Sequence, residues 1–271
     1  MRVAVLQYTA GGNAADTLRV ITALTEEAAA GGAELVSLPE CASFIAPDRQ
    51  TLFEIAEDST DSPTLNQLRT LAAQHHITLH IGSLLMRSRG AEKCVNRGFL
   101  ISPTGEILTH YDKIHMFTAD VGDGKRYREA EQFAPGNRPV LCDTDCGRIG
   151  MSICYDVRFA SLYHYLASEG AQIIMIPAAF TEVTGRAHWH VLLRTRAIET
   201  GCFVLAAAQT GTHADGRKTY GHALIINPWG EVLCDAGTTP QTALIVDIDL
   251  AEGEQARRRI PSLSHPAIDF S

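Results

Sequence analysis

No stretch of the 271-residue chain approaches the roughly 18 consecutive apolar residues of a membrane-spanning helix, so none is expected. The first apolar run, in MRVAVLQY, breaks at Gln7 and reads as a strand, not as a secretory leader. A basic excess is missing as well. The 23 Lys and Arg stand against 31 Asp and Glu, a net charge of −8, which argues against a nucleic-acid or other polyanion partner. The basic clusters Lys125–Arg126, Arg217–Lys218 and Arg257–Arg259 read as solvated loops or chain-end contacts. No linker-like segment rich in Pro, Gly, Ser or charge divides the chain, and residues 1–271 are read as one domain. The seven cysteines are odd in number and scattered through apparent strands, which suits a reducing, cytoplasmic setting better than a disulfide framework. Metal and phosphate signatures are lacking too. His188 and His190 lie two apart, on different faces of a helix, and cannot form the i, i+4 pair of an HExxH site. TADVGDGK has neither the acid spacing of a calcium loop nor the glycine spacing of a P-loop, and Cys142, Cys146 and His75–His76 read as packing or helix-end residues. Neither a metal nor another cofactor is expected.

What the chain does contain is alternation. RVAVLQY reads as a strand, and DTLRVITALTEEAAA as a helix with Leu18, Ile21, Leu24 and Ala28 on one face and Gly31–Gly32 as its stop. ELVSLPE, TLNQLRTLAAQHH and ITLHIGSLLM continue as strand, helix and strand. Beyond the middle of the chain come GRIGMSICY, ASLYHYLASEG, AQIIMIPAAF, AHWHVLLRTRAIETG and CFVLAAAQ, again in turn. Such alternation predicts an α/β layered fold and leaves strand order open. Two segments interrupt it and resemble each other. SPTGEIL at 102–108 and NPWGEVL at 227–233 each place Pro second and Gly fourth in a turn, the pattern of a type I turn between antiparallel strands. The chain then reads as two α/β halves, each with a hairpin, whose sheets pack face to face with helices outside.

Three reactive side chains stand directly after apolar strands. Glu40 ends VSLPE, Lys113 follows EILTHY within HYDKIHMF, and Cys154 ends GRIGMSIC before the polar turn YDVRF. A thiol nucleophile needs a base for its proton and a cation for the developing oxyanion, because a free thiol is only slightly ionised at neutral pH. Taken singly, each residue also has a plain explanation as packing or surface charge. Together they form the set that covalent catalysis by cysteine requires.

LPE at 38–40, YDKIHMF at 111–117, EQFAPG at 131–136 with Glu129 before it, and GMSICYDVRF at 150–159 resemble the four signatures of the nitrilase superfamily of carbon–nitrogen hydrolases, in the family's order and spacing. The resemblance runs from the first strand through NPWGEV. It implies a four-layer α-β-β-α sandwich and a Glu-Lys-Cys triad at Glu40, Lys113 and Cys154. It also implies that Glu129 positions the lysine, with Glu131 a nearby decoy, and that the Tyr155 backbone N–H helps hold the oxyanion. The implied reaction is amide hydrolysis through a cysteine thioester.

Within the superfamily, VTGRAHWHVLLRTRAIETGCFVLAAAQTGTH and KTYGHALIINPWG look like the amidases for deaminated glutathione, which release 2-oxoglutarate and Cys-Gly. The ω-amidases acting on 2-oxoglutaramate or 2-oxosuccinamate are the alternative, and a non-catalytic binding or scaffolding member is a third reading from another class. Arg158, Arg186 and Arg217 are candidates for a substrate carboxylate, and Tyr220 and His222 for the leaving-group wall. Ala160 departs from the proline common among relatives, and the loop TADVGDGKRY matches neither branch. Relatives dimerise through helices flanking the site. Leu162, Tyr165, Leu166, Trp189, Leu192 and Leu193 supply apolar surface that implies a homodimer.

Overall fold

Val3 and Val5 of the first strand, Arg2–Tyr8, pack on one side of it and Ala4 and Leu6 on the other, and all four are fully buried. A strand apolar on both faces belongs inside a layered core. In the computed structural model, which describes residues 1–58, 60–87, 92–122 and 124–264, this strand lies inside a nine-stranded sheet. The sheet runs Lys218–Tyr220, Ala208–Thr212, Arg2–Tyr8, Leu35–Ser37, Thr78–Arg87, Val95–Ile101 and Ile107–Asp112, with Thr242–Asp247 antiparallel to the first strand and Glu57–Asp58 beside Thr78–Arg87. A second sheet of six runs Val232–Asp235, Leu224–Ile226, Phe203–Ala206, Ile173–Met175, Gly147–Met151 and Val140–Thr144.

The helices Ala14–Ala30 and Pro63–His75 cover the Ala4 and Leu6 side of the first sheet with Leu18, Ile21, Leu24, Leu65, Leu68 and Leu71. Asn13 and Ser62 cap them, accepting from the backbone N–H groups of Asp16 and Leu65. The other face meets the second sheet. A Cβ on Gly98 of the first sheet would lie 3.5 Å from the Met151 Cε of the second, whereas one on Gly150 would lie 3.2 Å from Leu166 of the helix Ala160–Ser168. Adjacent residues of one strand thus face a sheet and a helix. With the helix Glu182–Thr200 beside Ala160–Ser168, the architecture is the four-layer α-β-β-α sandwich expected.

Each sheet contains three parallel strands followed by an antiparallel hairpin, as the repeated Pro-x-Gly frames predict. The Gly105 N–H bonds the Ser102 carbonyl and the Gly230 N–H the Asn227 carbonyl, both at 2.9 Å. Both glycines adopt positive φ, +80° and +83°, where a Cβ is strained, and each hairpin shifts register beside its turn.

Several elements differ from the sequence reading. Only Leu35–Ser37 of ELVSLPE is paired, and GRIGMSICY ends as a strand at Met151, so Glu40 and Cys154 both lie past their strand ends. The second long helix begins at Glu182, ahead of AHWH. TADVGDGKRY contains a hairpin, Thr118–Asp120 with Arg126–Arg128, instead of a plain loop. The triplet Arg257–Arg259 ends the helix Ala251–Arg259 instead of a loop; Arg258 and Arg259 are exposed, and the half-buried Arg257 donates to the carbonyls of Thr200 and Ala171 at 3.0 and 2.6 Å. Among the described residues, no helix is long and apolar enough to cross a membrane.

His80, fully buried in Thr78–Arg87, meets the Ser37 Oγ through Nδ1 at 2.9 Å, while its Nε2 has no partner. Burial holds the imidazole down at about 3, so it stays neutral. The unfolded chain gains a proton below its ordinary value of 6.5 that the folded chain refuses, and His80 therefore removes stability as pH falls below 6.5. The slope is about 1.4 kcal/mol per pH unit at its steepest. His80→Gln is expected to flatten the change in urea midpoint between roughly pH 6.5 and 5, with a residual slope from His213, which burial also holds low. An unchanged slope contradicts the assignment.

Candidate active site

Three chain segments converge where the two sheets meet. Beyond Ser37 the chain turns at Leu38–Pro39, with the Leu38 N–H on the His80 carbonyl at 2.8 Å and the Cys41 N–H on the Ser83 Oγ at 2.8 Å. Gly82 permits this approach: a Cβ there would lie 2.2 Å from the Leu38 oxygen and 2.5 Å from the Pro177 Cβ of the second sheet's side. The close contact brings Glu40 against the turn at Pro177–Ala179. There the Ala179 N–H donates to Glu40 Oε2 at 2.8 Å.

Cys154 opens a short 3-10 helix, Cys154–Arg158, with φ at +49°, a region costly for a side-chain-bearing residue. Its own N–H is anchored on the Pro177 carbonyl at 2.9 Å. The fully buried Asp156 holds the turn in place. Its Oδ2 accepts from the Ile153 N–H at 2.9 Å and the Tyr111 hydroxyl at 2.7 Å, and its Oδ1 accepts from the His115 N–H at 3.0 Å and meets His115 Nδ1 at 2.7 Å. Asp156 therefore ties the Cys154 turn to the segment carrying Lys113. The lysine backbone is fixed as well, its N–H on the Asn96 carbonyl and its carbonyl on the Gly136 N–H, where a Cβ would lie 2.1 Å from the Asp112 oxygen.

At the centre, Lys113 Nζ donates to Glu40 Oε1 at 2.8 Å and to both Glu129 oxygens at 3.0 and 2.9 Å. Asn96 Nδ2 spans the two carboxylates at 3.0 and 3.3 Å, and the Phe117 N–H holds Glu129 Oε2 at 2.7 Å. The Cys154 thiol lines the same cavity as these carboxylates, near enough to Glu40 for its charge to act on the sulfur. The side chains of Lys113, Glu40 and Glu129 are only 2%, 5% and 15% exposed, so these charges act on one another with little screening.

Burial by itself favours neutral lysine, but the Glu129 and Glu40 carboxylates outweigh it and hold the ammonium well above the ordinary value. For Glu40, burial pushes upward, yet the Lys113 charge and the hydrogen bonds from Lys113 and Ala179 keep it below the usual glutamate value. Burial and the Glu40 charge together raise the Cys154 thiol well above the ordinary cysteine value, against the opposing pull of Lys113. The resting site therefore pairs a carboxylate and an ammonium with a protonated thiol.

A cavity of about 280 Å³ opens on this centre, lined among others by Glu40, Lys113, Glu129, Cys154 and Tyr155. That is near the small end of ligand pockets. The other sequence candidates are not all brought to it. Arg158 lies over the Tyr155 and Phe180 rings and 3.3 Å from His188, Arg186 is exposed and pairs with Glu182 at 2.7 Å, and neither lines the cavity. Tyr220 stacks on His222 with ring centres 4.3 Å apart, and both also lie outside the lining. Arg217 does line it, together with Arg126 and Arg128 of the Thr118–Asp120 and Arg126–Arg128 hairpin; of the pairs read as solvated, Arg126 and Lys218 are exposed, while Lys125 and Arg217 are half-buried.

Asn96 and Asp156 are functional positions that sequence reasoning missed. His190, set beside His188 in sequence, is brought instead to His222 and Asp235, with ligand atoms all within 4.8 Å. Asp235 already accepts from the Gly237 N–H and meets both imidazoles at 3.0 Å, so this trio satisfies itself by hydrogen bonding.

Known proteins match over nearly the whole chain. A family model described as carbon–nitrogen hydrolase matches residues 2–258. The chain is 42% identical over 265 residues to deaminated glutathione amidase of Synechocystis sp., covering 97% of this chain and 96% of that protein. It is 39% identical to the Yersinia enterocolitica protein of the same name, covering 97% and 92%. Among solved structures, the C. elegans NitFhit protein superposes with a TM-score of 0.91 at 35% identity, over 98% of this chain and 64% of that longer chain. An amidase from Nesterenkonia sp. AN1, solved with the acetamide moiety of fluoroacetamide covalently added at its active-site cysteine, superposes with a TM-score of 0.81 at 26% identity, over 96% and 94%.

Glu40→Gln removes a carboxylate that helps disfavour the thiolate. Amide turnover is expected to fall by about 100- to 10,000-fold. The Cys154 thiol is expected to titrate at lower pH than in the native chain, since Lys113 then faces it with one carboxylate fewer. The pH dependence of iodoacetamide alkylation, followed on the Cys154 peptide, reads this directly. A thiol that titrates at the same or a higher pH in the variant contradicts the electrostatic account.

Proposed function

The chain belongs to the carbon–nitrogen hydrolase family, and from that premise we propose that it hydrolyses deaminated glutathione through a Cys154 thioester, releasing 2-oxoglutarate and Cys-Gly. In this reading Glu40 takes the thiol proton as Cys154 Sγ attacks the amide carbon. Lys113 and the Tyr155 N–H receive the oxyanion. The Tyr155 N–H precedes the intrahelical bonds of Cys154–Arg158 and has no acceptor among the described residues, so it is available for that task. Loss of one such donor typically costs about 100- to 1000-fold in rate. Glu40 then passes its proton to the leaving nitrogen as the C–N bond breaks. Water, deprotonated by the same carboxylate, attacks the thioester, and collapse of the second tetrahedral species frees the acid and returns the thiol. Glu129 keeps the Lys113 ammonium aimed throughout.

The observation that carries this reading is one Glu40 carboxylate bonded to the Lys113 ammonium at 2.8 Å on the wall of the cavity that also holds the Cys154 thiol. The substrate rests on the relatives named deaminated glutathione amidase, which are 35–42% identical over nearly the whole chain. α-Ketoglutaramate presents the same acyl group and would give the same thioester. It differs in releasing ammonia where deaminated glutathione releases Cys-Gly.

Cys154→Ala is expected to abolish turnover and leave the melting temperature nearly unchanged, and activity above a few per cent contradicts the nucleophile. Side-by-side kinetics test the substrate. A site that uses the dipeptide's binding energy in the transition state gives the higher kcat/KM with deaminated glutathione. Equal or reversed values transfer the assignment to an ω-amidase. All seven cysteines are free thiols, in keeping with the reducing cytoplasm in which we place this reaction.

We also propose a homodimer, on a surface that differs in part from the sequence reading. Leu162, Leu166, Trp189 and Leu193 are spent on the inner packing, but Tyr165, Val183, Val191 and Ile198 remain 45%, 47%, 66% and 52% exposed on the helices Ala160–Ser168 and Glu182–Thr200. An apolar stripe along an outer helix face suits a second copy. Light scattering at micromolar concentration is expected to give twice the chain mass, and Val191→Glu to lower it. A native mass equal to one chain contradicts the dimer.

A further inference from the structure

Arg217 closes the turn between the strands Ala208–Thr212 and Lys218–Tyr220, its carbonyl accepting from the His213 N–H at 2.9 Å. The backbone N–H and the Nε of Arg217 donate to the two Asp215 oxygens at 2.8 and 2.6 Å, and Lys125 Nζ holds the Asp215 carbonyl at 2.9 Å. These bonds fix the guanidinium plane from its inner edge. Its outer edge is unused: neither Nη nitrogen has a hydrogen-bond partner among the described residues. Yet the side chain is only 30% exposed and lines the cavity that holds Cys154. Of the other arginines, Arg158 and Arg186 stay off the wall, Arg128 pairs with Glu131, and Arg126, though on the wall, is exposed to solvent.

A guanidinium held at Nε with both Nη groups free presents a planar two-donor fork, the geometry that carboxylates accept bidentately. Asp215 balances its charge without covering that fork. The nucleophile end of the cavity has the opposite character, because Glu40 and Glu129 together exceed the single Lys113 charge. A carboxylate is thus repelled from the reacting centre and accepted at Arg217, which fixes which way an acidic amide enters. We propose that the Nη edge of Arg217 binds a substrate carboxylate and selects amides of carboxylate-bearing acids over neutral amides. This rests on the amidase reading and adds to it a residue that decides which amides enter.

The plain alternative is that Arg217 only braces its own turn through Asp215. A brace affects all substrates alike, whereas a carboxylate site does not. The test measures kcat/KM of the native, Arg217→Ala and Arg217→Lys proteins on pentanamide, α-ketoglutaramate and deaminated glutathione, which carry no, one and two carboxylates. Arg217→Ala is expected to lower kcat/KM about 10- to 100-fold on the acidic amides, chiefly through KM, and to leave pentanamide unchanged. Arg217→Lys keeps the charge without the fork, should recover only part of the loss, and carries the comparison alone if the alanine variant does not fold. Loss on both acids assigns the fork to the acyl carboxylate; loss on deaminated glutathione alone assigns it to the dipeptide carboxylate. Equal loss on pentanamide, or no loss on either acid, overturns the proposal. Calorimetric binding of the same acids to Cys154→Ala, with and without Arg217→Ala, reads the fork without turnover. If the native protein cleaves none of the amides, the amidase reading fails on its own while the binding comparison still decides for or against Arg217.

Discussion

The ammonium of Lys113, enclosed by the carboxylates of Glu40 and Glu129, is the contact on which the rest of the site depends. Any one of these ions, buried alone, would be destabilising by several kcal/mol, and each is tolerated only because the others are there. Asn96 reinforces the arrangement by reaching both carboxylates from one amide. Burial first, and the Glu40 charge after it, make the centre favour a thiol over a thiolate at Cys154. The sulfur is thus not pre-ionised in the manner of cysteines beside a histidinium or a helix N-terminus. In the proposed reaction its proton passes to Glu40 as the carbon–sulfur bond forms.

That arrangement depends on two sheets being held in one relation. Glu40 comes from beyond a parallel strand of the first sheet, and Cys154 from beyond a parallel strand of the second. They meet because Gly82 lets Leu38–Pro39 and Pro177 pack against one backbone position, and because the Ala179 N–H reaches across to Glu40. Asp156 adds a second tie, from the nucleophile turn to Tyr111 and His115 on either side of Lys113. The catalytic distances are therefore properties of the sheet interface, with no single loop responsible for them.

How much of this could be read from the sequence depends on how far apart in the chain the contacting residues lie. Glu40, Lys113 and Cys154 were legible because each stands at the end of an apolar run, and Glu129 only through the family resemblance of the stretch that precedes Pro135. The paired hairpins were legible from Pro and Gly at fixed turn positions. Asn96 gave no signal, being one polar residue within a strand, and Asp156 looked like any acid in a turn until Tyr111 and His115 closed on it. Arg217 was one of three arginine candidates that the sequence could not rank, and only the tertiary fold shows it facing the cavity while Arg158 and Arg186 stay off the wall. The same limit separated His190 from His222 and Asp235, whose meeting depends on a hairpin packing against a helix.

The protonated state of the Cys154 sulfur also bears on how long the enzyme survives between turnovers. Peroxides attack thiolates far faster than thiols, and the first product, a sulfenic acid, proceeds irreversibly if oxidation continues. A nucleophile that keeps its proton while the pocket is empty presents an oxidant with little to react with. On the proposed mechanism, the burial and the Glu40 charge that keep the resting sulfur protonated also shelter it between turnovers, so durability and reactivity turn on where one proton sits.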